Sequence, residues 1–147
     1  MSQRVVATDF GGPEVLAVVA AEVPEPGRDE VRIAVHAAGV NPADVKSYSG
    51  EWGTDRAQLP KPLGFEAAGV VTAAGSDSGF REGDEVVAFR VGGAYTTDLL
   101  AASDAVLPKP EGLGWPEAGG LLLTGATAVH TLVATGVHEG DTVLVHG

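Results

Sequence analysis

Glycine and proline cut this sequence into short pieces, with 21 glycines and 9 prolines in 147 residues. Between them stand runs rich in Val, Ile and Ala. Such punctuation disfavours long helices and favours many short strands joined by turns. "RVVAT" (4–8) predicts a first strand and "DFGGPE" (9–14) a turn. "VLAVVAAEV" (15–23) follows as a second strand, stopped by "PEPG". In "EVRIAVHA" (30–37) Val31, Ile33 and Val35 alternate with Arg32, Ala34 and His36. That period of two belongs to a half-buried strand.

The stretch 39–50 changes character. Asn41 is a helix-capping residue type, Pro42 suits a first helical position, and Asp44 suits the positive end of the helix dipole. A short helix is expected over about 42–48, then a loop over 51–64. Further strands are expected at 65–75 and 92–101, a turn and another strand within 80–89, and an extended piece at 105–110. Glycine inside 65–75 signals a bulge or a close backbone approach. The last third reads as helical. Pro116 and Glu117 suit the first turn of one helix, and 124–135 forms a clearer one. Ala126, Val129, Leu132 and Val133 share a face of that helix, and Gly136 is its expected stop. "GDTVLVHG" (140–147) then reads as a turn, a buried-type strand and a glycine. A strand after a helix in this way usually opens a parallel α/β unit.

Composition narrows the function. The net charge is −11, which repels phosphate backbones and anionic membrane surfaces, so neither nucleic acid nor membrane is an expected partner. Aromatic residues make up 5% of the chain, so the core must rest on aliphatic side chains. There is no cysteine, which removes disulfides, thiolate metal sites and a cysteine nucleophile. The N-terminus lacks a signal-peptide apolar region, and a soluble cytoplasmic protein is the default expectation.

Six segments in order, "GGPEVL", "AAGVNPADVK", "GFEAAGVV", "REGDEVVAF", "GGAY" and "GATAVHTL…EGDTVLVHG", together resemble the quinone oxidoreductase (zeta-crystallin-like) branch of the zinc-free medium-chain dehydrogenase/reductase superfamily. The resemblance runs through essentially the whole chain. It implies a mainly β fold with helices (α+β), a GroES-like, partly open β-barrel, over residues 1–124. Residues 125–147 would be the connecting helix and the first strand of a Rossmann domain that is otherwise absent. The text after Gly147 would then begin with a pyrophosphate-binding glycine loop. By this reading the chain is a fragment.

Zinc-dependent members of the superfamily carry a cysteine after "GV" and a histidine before the glutamate of "GHE". Here those positions hold Asn41 and Phe65. Catalytic zinc needs nitrogen or sulfur ligands, so no metal is expected. The resemblance implies hydride transfer from NADPH to a quinone or other conjugated carbonyl, with the protein orienting both and stabilising charge on oxygen. Asn41, Lys46 and Tyr48 are the candidate catalytic residues. Asn41, Pro42, Asp44, Lys46, Thr127 and His130 are the candidate cofactor contacts. Each has a plainer role: Asn41 as a cap, Lys46 as a solvated lysine, Tyr48 packed at a helix end, Thr127 bonded back to a carbonyl, His130 a surface imidazole. His36, His138 and His146 lack metal-ligand spacing and read as structural or exposed. Trp52 lies in a loop able to cover a pocket or simply to pack.

Quinone and enone acceptors stay unseparated, as do NADPH and NADH beyond family habit. A homo-oligomer is among the expected assemblies, since an apolar helix and strand near the end invite pairing. The alternative reading is a GroES-like binding or assembly module without catalysis; a crystallin-like structural role is neither favoured nor excluded.

Overall fold

The computed structural model describes residues 1–146. Its strands are β1 (Ser2–Ala7), β2 (Leu16–Ala21), β3 (Glu30–Ala38), β4 (Lys61–Pro62), β5 (Glu66–Ala74), β6 (Glu85–Phe89), β7 (Asp98–Ala102) and β8 (Val106–Pro108). Its helices are α1 (Pro42–Ser49), α2 (Trp115–Gly119) and α3 (Leu121–Thr135). Two open antiparallel sheets result, one ordered β2-β1-β4 and the other β7-β3-β5-β6-β8. The expected GroES-like β architecture is present as a pair of open sheets.

The larger sheet owes its position to apolar side chains on both faces. Val31 and Ile33 of β3 are buried with Val71, Val86, Leu99 and Val106 in the main core. Each such aliphatic side chain contributes about 1.5–3 kcal/mol when removed from water. The alternate residues of β5 and β6, Ala68 and Val87, point the other way and pack under Ala118 of α2. These two strands are therefore covered on both sides, which is why their sequence lacks a clean polar alternation. Gly69 of β5 sits opposite Val35, beside a register shift in β3. A Cβ on Gly69 would stand 2.8 Å from the Ile33 side chain and closer still to the Ala34 carbonyl. The glycine expected to mark a close approach does so.

Helix α2 docks through an aromatic contact. Trp115 stacks on His36 of β3 with ring centroids 4.4 Å apart, and the Lys109 ammonium lies 5.1 Å from the Trp115 ring. His36 thus has a packing role. The smaller sheet is tied to the larger one across a long stretch of sequence. Val5 N–H donates to the Tyr95 carbonyl at 2.8 Å, and Thr97 N–H to that of Gln3 at 2.9 Å. Thr97 and Ser2 also join through their hydroxyls, 3.0 Å apart.

Three expectations are corrected. The strand expected over 92–101 is confined to Asp98–Ala102, because Gly93 takes a left-handed φ of 81° and residues 93–95 turn back onto Leu63 and Gly64. Within the expected loop 51–64, Lys61 and Pro62 pair with Ala7 and Val6 of β1. The strand expected from Thr142 to Val145 does not form among the described residues: Leu144 and Val145 are 90% and 86% exposed. A strand needs a neighbour to complete its hydrogen bonds, and none of the described strands lies beside this segment. Gly147, the expected entry to a phosphate loop, lies outside the described residues. Gly136 ends α3 with φ 66°, as expected, its N–H reaching the Leu132 and Val133 carbonyls.

Candidate functional site

Helix α1 begins where the sequence places it, with Asn41 at the N-cap and Pro42 in the first turn. Asn41 and Asp44 form a capping box, and its Asp44 half is well made: the carboxylate accepts the Asn41 N–H at 2.8 Å. The other oxygen of Asp44 accepts the Gly64 N–H at 3.1 Å. Asp44 is 2% exposed. It therefore fastens the start of the helix to the turn that enters β5.

Asn41 turns its side chain elsewhere. Its Nδ2 donates to Oε1 of Glu66 at 2.9 Å, and both residues are buried. The second oxygen of Glu66 accepts the Leu123 N–H at 2.9 Å. Leu123 is in the first turn of α3, whose N-cap, Gly120, offers no side-chain acceptor. A helix leaves its first N–H groups without internal partners. Here β5 supplies the missing acceptor, and a carboxylate there also complements the helix dipole. One buried glutamate thus joins β5, α1 and α3. Gly39 makes room for it, since a Cβ at that position would stand 2.8 Å from both Cγ and Cδ of Glu66. Nothing local in the sequence marks this role for Glu66, because its two partners lie 25 and 57 residues away.

A shallow hollow of about 490 Å³ opens next to this network. Trp52, Phe65, Phe89, Val91 and Leu123 give it apolar walls, and Arg90 stands on its rim. The Trp52 and Phe65 rings lie 6.3 Å apart at 58°. Trp52 therefore does line a pocket. Phe65 forms part of its wall.

The other expected site residues are spread more widely. Pro42 is exposed. Lys46 is about half exposed and pairs with Glu51 at 3.2 Å. Tyr48 is buried with Ala7 and Leu63 in a second core cluster, beside Tyr95. Thr127 is exposed and bonds back to the Leu123 carbonyl at 2.7 Å, while His130 is exposed further along α3. Burial, the adjacent Asp44 carboxylate and more distant negative charge push the Tyr95 phenol well above its usual range. Its hydroxyl is shielded from water with no hydrogen-bond partner of acceptable geometry. Among the described residues no group of three or more His, Asp or Glu is arranged to hold a metal ion. No helix among them is long and apolar enough to cross a membrane.

Residues 27–136 match the alcohol dehydrogenase GroES-like domain family. Quinone oxidoreductase of Mus musculus is 38% identical over 143 residues, covering 95% of this chain and 43% of the mouse protein. Quinone oxidoreductase of Pseudomonas aeruginosa is 35% identical over 150 residues, covering 99% of this chain and 45% of that protein. Among solved structures, Escherichia coli quinone oxidoreductase complexed with NADPH aligns with a TM-score of 0.83 and 31% identity, covering 90% of this chain and 41% of that one. The chain spans less than half the length of the curated relatives it matches.

Proposed function

This chain belongs to the alcohol dehydrogenase GroES-like domain family, and from that premise we propose that it is the catalytic-domain part of a zinc-independent, NADPH-dependent oxidoreductase acting on a quinone or other conjugated carbonyl. Residues 1–124 would form the catalytic domain. Residues 125–147 would lead into a dinucleotide-binding domain that completes the cleft. The observation that carries this reading is the Asn41–Glu66–Leu123 network beside an apolar hollow. It holds a polar α1 terminus rigidly next to a wall suited to a flat ring.

Zinc independence is supported by side-chain chemistry. Phe65 has no donor atom, and the Asn41 amide is committed to Glu66. Neither suits a thiolate- or imidazole-type site. The exposed groups on the two helices fit a dinucleotide better: Lys46 on α1 and His130 on α3 carry polar groups on accessible surface, with Pro42 and Thr127 exposed on the same helices. NADPH, when bound, supplies the hydride. The chain's own work is orientation and charge stabilisation. Glu66 fixes the Asn41 amide and the α3 terminus together. Lys46, held by Glu51, adds a positive charge for a phosphate or a developing oxyanion. Tyr48 lies in the core, where packing accounts for it without a proton-donor role.

The test compares the 147-residue chain with the same chain extended by the continuation of its reading frame. NADPH oxidation in the presence of a benzoquinone is followed with and without a chelator. The extended protein should be active, insensitive to the chelator, and slowed about 10²-fold in kcat by Asn41→Ala, in the range seen for removing one oriented donor. The 147-residue chain should be inactive. Turnover by the short chain would overturn the division into domains, and loss of activity with the chelator would overturn zinc independence. An inactive extended protein would overturn the oxidoreductase reading itself.

A further inference from the structure

Arg90 is anomalous in two independent ways. Six of the nine Lys and Arg side chains pair with a carboxylate. Lys61 donates to the Ser47 carbonyl, and the Arg4 Nε is shielded from solvent. Arg90 is exposed and has no ion-pair partner among the described residues. It is also the one non-glycine residue among them with a positive φ, 61°. Glycine would relieve that conformation, and two glycines stand immediately downstream at Gly92 and Gly93. The loop is held in place by bonds from the Val91 N–H to the Phe65 carbonyl, 3.2 Å, and from the Gly93 N–H to the Gly64 carbonyl, 3.1 Å. A strained backbone and an uncompensated charge thus coincide at the rim of the apolar hollow.

We infer that Arg90 makes this hollow selective for a conjugated carbonyl compound that carries an anionic substituent, such as a carboxylate or sulfonate. The inference rests on the acceptor reading above and names its substrate class. The flat body of the ligand lies against Trp52 and Phe65, and its anionic group meets the guanidinium. A chain of net charge −11 repels anions over most of its surface. A single unpaired cation at the mouth reverses that locally, so selectivity arises from one contact and weakens with salt.

The experiment titrates the full 147-residue chain with anthraquinone-2-sulfonate and with neutral 2-(hydroxymethyl)anthraquinone, reading quenching of Trp52 fluorescence with Trp52→Phe as the control. The sulfonate should bind about tenfold more tightly at low salt, the scale of one charge-assisted contact. Arg90→Gln should abolish the preference. Arg90→Gly, which also relieves the backbone, should abolish it while the thermal midpoint holds or rises. Equal affinities in the parent chain, or a preference that survives both variants, would overturn the inference and leave the acceptor reading intact. Failure of both compounds to quench Trp52 would overturn the acceptor reading and the inference with it. NADPH is titrated in parallel. If Arg90→Gln weakens NADPH alone, Arg90 serves the cofactor's phosphates and the inference is overturned.

Discussion

The side-chain amide of Asn41 and the carboxylate of Glu66 meet at 2.9 Å inside the fold, with Glu66 only 1% exposed. The pair couples the start of α1 to β5, and through the Leu123 N–H to the start of α3. A buried carboxylate without a cationic partner is tolerated only when hydrogen bonds replace its lost water. Stability and site geometry consequently share the same two contacts.

Asn41→Ala should cost about 1–3 kcal/mol, because Glu66 then keeps a desolvated oxygen with no donor. Asn41→Asp should cost more, since it sets two carboxylates side by side. Urea midpoints for the two variants give the order, which would be refuted if Asp were tolerated better than Ala.

Gly39→Ala should destabilise by about 1–3 kcal/mol through overpacking, although Gly39 has no positive φ. The added methyl would press on the Glu66 side chain and disturb both of its bonds. Amide exchange at Leu123 should accelerate in this variant. Unchanged exchange would show that the strain is relieved without moving Glu66.

Tyr95→Phe should be neutral or stabilising, because the hydroxyl it removes is shielded and unpartnered. The parent chain should lose stability as pH rises above 10. There the unfolded phenol releases its proton while the folded one, its pKa raised by burial and Asp44, retains it. Denaturant midpoints measured at pH 9 and 11 should show a steeper fall in the parent than in the Phe variant.

Arg56 holds the exposed Asp9 carboxyl below its ordinary value of 3.8 through a two-pronged hydrogen bond. Arg56→Gln should return the Asp9 titration toward 3.8, visible by NMR. Because the folded value is depressed, any stabilising contribution is present above about pH 4 and disappears as pH falls through the folded value. A titration that stays put in the variant would assign the shift to the Phe10 N–H instead.

The 147-residue chain should self-associate. Val129, Leu132 and Val133 leave the apolar face of α3 exposed, Val133 by 74%. Val129→Glu combined with Val133→Glu should shift the sedimentation profile toward monomer. A monomeric parent chain would remove the basis of this expectation.

The features legible in the sequence are those carried by local chemistry. The 2-residue period of β3, the Asn-Pro start of α1 and the Gly136 stop of α3 each depend on neighbours within a few positions. The β4 pairing was hidden because Lys61 and Pro62 show no strand pattern; they pair only because the turn before β5 brings them to β1. The strand expected at 142–145 failed for the converse reason: its apolar pattern is strong, but no described strand lies beside it. At the site, Asn41 and Asp44 could be singled out by helix-start chemistry. Glu66 could be placed in a motif but not given partners, and Arg90 could not be singled out at all, since its φ arises from how the loop is tied to residues 64 and 65.

The ties from β1 to Tyr95 and Thr97 set an order for the growing chain on the ribosome. Residues 2–21 can pair early as a hairpin, but a two-stranded hairpin is marginal alone in water. A short third strand joins it at residues 61–62, but its ties to the larger sheet emerge only with residues 95–97, and its main-chain bonds to them close the widest gap in sequence among the described sheet contacts. The first strand synthesised therefore waits for about two thirds of the chain before it is tied to the larger sheet. A nascent chain stalled before that point would display a loose apolar ribbon, Leu16 to Ala21, with no charge along it to discourage pairing with another copy.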